Sequence, residues 1–85
     1  MPDRPHGTTV TLSYDTERRA SAIARSLRPE LDDLADDRST TRLELAGRDL
    51  ELAIDAANLV ALRAATNTWL GLVQVAERVA ETGDF

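Results

Sequence analysis

Few residues of this chain have types that do chemistry. There is one histidine, His6, and there are four aspartates close together in "ELDDLADDRS": Asp32, Asp33, Asp36 and Asp37. Carboxylates at such spacing would suit calcium or magnesium. The stretch lacks the central glycine and terminal glutamate of an EF-hand loop, and it reads instead as a solvated acidic connection. His6 lies in "MPDRPHG", where Pro2, Pro5 and Gly7 predict a disordered tail over residues 1–7. With no cysteine, thiolate metal sites and disulfides are excluded. No phosphate-cradling glycine loop is present, and no nucleophile stands beside a base. The expectation is a chain with no catalytic residue, no cofactor and no metal.

A chain without chemistry of its own works through its surfaces. All ten basic residues are arginine, fifteen residues are acidic, and the formal net charge is −5. That balance argues against a free-standing nucleic-acid binder, which carries a basic patch. Acidity without lysine fits the cytosol of a halophile, where excess surface carboxylate keeps proteins soluble in concentrated salt; the alternative is an acidic, alanine-rich protein from a GC-rich genome. No apolar run reaches the roughly 18 residues of a membrane span. The N-terminus lacks the apolar core of a secretion signal, so a cytoplasmic location without membrane contact is expected. Eighty-five residues make one small domain, expected over residues 8–82 with a short tail at 83–85. A core of that size supplies about 3–5 kcal/mol, and oligomerisation is the one remaining way to reinforce it.

The elements that must position this surface follow from periodicity. "TTVTLSY" alternates, placing Val10, Leu12 and Tyr14 on one face of a strand. Asp15 or Thr16 can cap a helix carrying Ala20, Ile23, Ala24 and Leu27 at helical spacing. Pro29 ends it, and "PELDDL" has the form of one further turn. "TTRLELA" and "DLELAID" flank Gly47-Arg48, a type II′ hairpin signal. With Ala46 facing Asp49, Leu45 meets Leu50 and Leu43 meets Leu52. The same register sets Glu44 against Glu51 on the outer face. Asp55 is the expected cap of the last helix, which runs to about Glu81. The fold class is α+β: a β-α-β-β-α two-layer sandwich, with a three-stranded antiparallel sheet and two helices on one face. Its predicted core is Val10, Leu12, Ile23, Leu27, Leu43, Leu45, Leu50, Leu52, Ile54, Leu62, Trp69 and Val73.

The last helix carries two apolar seams where a surface helix needs one. Leu59, Leu62, Thr66, Trp69, Val73, Ala76 and Ala80 form the first; Ala61, Ala65, Thr68, Leu72, Val75 and Val79 form the second, about 100° around the axis. A sheet covers the first. The second has the spacing of helix-to-helix packing, with Gly71 nearby. The first helix of the domain could fill part of it; a fully exposed seam would be an apolar patch that binds or aggregates. Arg63, Asn67, Gln74, Arg78 and Glu81 form a narrow polar wedge between them.

"AIDAANLVALRAATNTWL" resembles the helix entry of the small dimerising subunit of the KEOPS complex, a family that includes the human CTAG/LAGE-type proteins. Asp55, Leu62-Arg63-Ala64, Asn67 and Leu70 match, and Thr68 stands where the family often has serine. "RSLRPE", Arg25 to Glu30, resembles the family's first-helix ending, and the element order agrees over about residues 8–82. The resemblance implies a non-catalytic subunit that forms a homodimer and docks an ATPase-fold catalytic subunit through its helices. A kinase-like subunit joins indirectly. The complex places threonylcarbamoyl on the adenosine beside the anticodon of tRNAs that read codons beginning with A. Any tRNA contact made by this chain rests on arginines alone. Partner-binding residues are then expected at Arg63, Asn67, Thr68, Leu72, Val75 and Val79. The competing readings are a KH-sized RNA-binding module, which lacks its GXXG loop here, and a generic homodimeric domain with an unrelated partner.

Fifteen carboxylates on so small a domain repel one another when unscreened. The melting temperature is therefore expected to rise steeply between low and high salt; indifference to salt would contradict the halophile reading of the charge.

Overall fold

The structure, a computed structural model, describes residues 5–82. Its elements are β1 (His6–Ser13), α1 (Glu17–Leu27), α2 (Glu30–Asp33), β2 (Ser39–Ala46), β3 (Asp49–Ala56) and α3 (Leu59–Glu81). The strands form one antiparallel sheet in the order β1-β3-β2, with the helices on one face. This is the two-layer α+β arrangement read from the sequence, with α2 as a single added turn. Residues 1–4 and 83–85 lie outside the described residues. His6 and Gly7 are not part of a tail: they begin β1, pairing with Ala56 and Asp55.

Local chemistry accounts for most boundaries. Thr16, in extended conformation, caps α1 by accepting from the Arg19 N–H at 3.0 Å. Pro29 cannot donate the next ladder bond, so α1 gives way and Pro29 serves as the cap residue of α2. Gly47 has φ 62°, and it is the described residue with positive φ. A Cβ there would meet nothing within 4 Å, so glycine is demanded by the backbone and not by space. Positive φ at the first central residue alone is the type II′ pattern. The hairpin register is Ala46 with Asp49, Leu45 with Leu50 and Leu43 with Leu52.

Because β3 is central, the apolar residues line up in rows of three. Val10, Leu52 and Leu43 form one row; Leu12, Leu50 and Leu45 form the next. Leu50, Leu52 and Ile54 on the middle strand are fully buried. Val10, Leu12 and Leu45, on edge strands, are half-buried against them. The helical layer adds Ile23, Ala24 and Leu27 from α1, and Trp69, Val73, Ala76 and Ala80 from α3; Leu62 is half-buried beside them. Tyr14 ties the layers together: its hydroxyl donates to the Glu77 carboxylate at 2.8 Å. Burial first, and then the bond to Glu77 and its charge, push the phenol well above its ordinary pKa. Arg19 and Glu81 meet at 4.0 Å on the surface, a contact worth little in water.

Asp55 is not the cap of α3. It sits inside β3, opposite Gly7 and Thr40, with its carboxylate close over Gly7, where an added Cβ would come within 2.7 Å. The strand outlasts Asp55 because the ladder continues to Ala56, and Ala57 still donates to the Arg38 carbonyl at 2.8 Å. Asn58 caps the helix instead, accepting from the Ala61 N–H at 2.8 Å. Trp69 is 2% exposed at the centre of the core. Trp69→Ala is expected to cost about 3–5 kcal/mol, as large-to-small core changes do; an unchanged urea midpoint would contradict that placement.

Candidate functional site: a helix face open to a partner

The 23 residues of α3 span about 34 Å at 1.5 Å per residue, whereas eight-residue strands span about 26 Å. The helix is longer than its sheet, so its first turn overhangs. Leu59 is 64% exposed and Val60 77%, although Leu59 continues the spacing of the buried seam. Its place in that seam is therefore corrected: periodicity sets direction but not how far the sheet reaches.

The second seam divides along its length. Ala61 is buried, Ala65 and Leu72 are half-buried against the core, and Thr68, Val75 and Val79 are exposed. Contacts with α1 and the rest of the core take up the Leu72 side of the seam. What remains open is a stripe turned slightly away from the predicted one. It runs through Val60, Ala64, Thr68, Gly71, Val75 and Val79, with Val75 at 53% and Val79 at 46% exposure. A Cβ on Gly71 would find open space within 4 Å, so nothing in the domain itself requires glycine there. A backbone lying across the stripe would.

Arg63 and Asn67 are both exposed and lie together, one turn apart, beside a shallow hollow lined by Thr8, Leu59, Leu62 and Thr66. Thr66 spends its hydroxyl on the Leu62 carbonyl at 2.8 Å. Among the described residues neither Arg63 nor Asn67 is shown in a hydrogen bond or ion pair. The two flank the stripe but are not part of it. Thr68 is within the stripe, on its side toward the α2–β2 connection. The six residues expected to bind a partner thus fall into three settings: a polar pair, an open stripe, and Leu72, which shares in the core.

Sequence reasoning missed Val60 as the start of the open stripe, although its four-residue spacing to Ala64 and Thr68 was the available signal, and it did not foresee the exposure of Leu70. It also missed Asn58, whose type was the available signal for a cap. The acidic connection is ordered locally: the Asp36 carboxylate accepts from the Arg38 and Ser39 N–H groups at 2.7 and 2.9 Å. Among the described residues no three of His, Cys, Asp and Glu come together as metal ligands would. No helix among the described residues is long and apolar enough to cross a membrane.

A family model described as "Transcription factor Pcc1" matches residues 8–81. A solved structure described as the crystal structure of the binary complex Gon7-Pcc1 is similar at a TM-score of 0.81, with 13% identity, over 92% of this chain and 95% of that one. At that identity the likeness is one of fold. The search of curated proteins found no match.

Val75→Asp places a charge on an exposed helix position and is expected to leave the free energy of unfolding within about 1 kcal/mol of wild type. Leu72→Asp is expected to destabilise more, by about 2 kcal/mol or above, because part of that charge is buried. Thermal unfolding of both variants checks the division of the seam; the reverse order would overturn it.

Proposed function

The chain belongs to the Pcc1 family, and from that premise we propose that it is a non-catalytic, homodimerising subunit of a KEOPS-type complex. In that role it docks the ATPase-fold catalytic subunit through α3, with the kinase-like subunit held indirectly. It thereby supports threonylcarbamoylation of the adenosine beside the anticodon in tRNAs that read codons beginning with A. One observation supports the reading above others. The domain buries one face of its longest helix and leaves a second, small-residue apolar face uncovered. Exposed apolar stripes of this kind mark protein contacts, and alanine, glycine and threonine let a second helix approach closely.

The site residues then have separate roles. Val75, Val79 and Thr68 supply the contact, with Gly71 allowing the approach. Arg63 and Asn67 orient it from the flank through hydrogen bonds that the domain does not use. Leu72 supports the stripe from beneath. The chain contributes placement, and the chemistry belongs to its partners. Its acidic, lysine-free surface makes phosphate contact by this subunit alone weak, so tRNA reaches it only within the assembled complex. We read the same charge as that of a halophile's cytosolic protein, and assembly is accordingly tested in concentrated salt.

The test is affinity purification of the tagged chain from its own cell extract at high salt, with mass spectrometry of the proteins retained. The catalytic and kinase-like subunits are expected with wild type and with Trp69→Phe, and are expected to be lost with Val75→Asp. Recovery of the chain alone as a dimer would overturn the assignment.

A further inference from the structure

Between α3 and the α2–β2 connection lies a recess of about 160 Å³, with Trp69 at its base and Ala61 and Ala65 on its wall. It exists because the residues meeting there are small. Ser39 faces inward from β2 opposite Ala56, and one turn of α3 above it presents alanine. At other points along the sheet the same layer is filled by leucine and isoleucine. Such a gap normally collapses or is filled, since interiors pack to crystal density.

Ser39 makes this gap more than a packing fault. It is 8% exposed, the buried polar residue of the described chain. Its N–H is held by Asp36 at 2.9 Å, but its hydroxyl makes no hydrogen bond among the described residues. Among the described residues no buried side-chain oxygen is orphaned away from solvent, so that hydroxyl keeps its access to the recess. A nearly buried hydroxyl facing an open cavity asks for a polar atom from outside. Asp36 and Arg38 both line the mouth, and the acidic sign comes from the connection around it, since the segment 32–38 carries four aspartates against that single arginine.

We propose that this recess is a socket for one basic side chain, arginine or lysine, carried by a partner helix. The methylene stem lies along Ala61, Ala65 and the Trp69 ring, where an aliphatic chain loses little by leaving water. The cationic tip donates to the Ser39 hydroxyl and sits in the field of the aspartates. Alanines 61 and 65 are on α3 next to Ala64 and Thr68, where the open stripe begins. A helix lying on the stripe therefore passes over the mouth and can place a side chain in it. This last point rests on the docking role proposed above; the socket itself does not.

The socket can be tested on the isolated full chain, which has a single tryptophan and so a single indole N–H signal. Titration with n-butylguanidinium is expected to shift the Trp69 indole and Ser39 amide resonances saturably. Pentanoate and 1-pentanol are expected to bind at least ~tenfold more weakly, about 1.4 kcal/mol. Ala65→Leu, which fills the recess, should abolish the shift. Ser39→Ala, a milder change, should weaken it, and so should Asp36→Asn, which keeps the acceptor for the two N–H groups and removes the charge. No saturable shift, or equal response to all three probes, would overturn the socket. In the affinity purification, partners retained by Ala65→Leu but lost with Val75→Asp would also overturn it while leaving docking on the stripe intact. Loss with both supports it.

Discussion

The contact of one face of α3 with the sheet and α1 governs the rest of this molecule. Trp69, Val73, Ala76 and Ala80 come to the buried side at steps of four, three and four, and once they are seated the helix has no freedom to rotate. Every other face follows. The polar pair Arg63 and Asn67 is turned to solvent, and the stripe from Val60 to Val79 is turned away from the sheet. Trp69 is buried at the middle of the helix, and the small alanines beside it leave the space next to Ser39. Close packing at one place makes the opening at another.

How much of this was legible in the sequence depends on the range of each interaction. The hairpin was legible to the residue, because a two-residue turn and strict alternation admit one register. The end of α1 was legible because Pro29 lacks an N–H. The cap of α3 was misread because Asp55 and Asn58 are equally good caps by type. What chose between them was the length of the β1–β3 ladder, set by residues some fifty positions away. The same long-range pairing took His6 and Gly7 into β1. The exposure of Leu59 and the half-burial of Leu72 could not be read from a helical wheel. The wheel assumes a partner as long as the helix, and the sheet is shorter.

The charged surface shows how little such a domain needs its outer sheet face to be neutral. Glu44 and Glu51 stand opposite each other on neighbouring strands, and Arg42, two residues along β2, forms no ion pair with either among the described residues. Directly opposed like charges cost a few tenths of a kcal/mol and up to about 1, a cost that concentrated counterions reduce. The hydrophobic rows beneath carry the sheet. The outer face is then free to be acidic, which supports solubility, while α3 retains the apolar surface on which a partner can settle.

The strand order has a consequence for the making of the chain. The first strand to leave the ribosome, β1, sits at an edge and pairs with β3 alone, and β3 is the last strand to be synthesised. Until β3 begins to emerge at Asp49, β1 has no neighbour within its own sheet, and β2 cannot substitute for β3, since the two edge strands are not paired. The hairpin closes over a two-residue turn, whereas joining β1 to it closes a loop of several dozen residues, a slower step. During translation β1 therefore stays an unpaired, half-apolar ribbon until β3 reaches it. The threonines and serine alternating along that ribbon, Thr9, Thr11 and Ser13, give it a polar side while it waits.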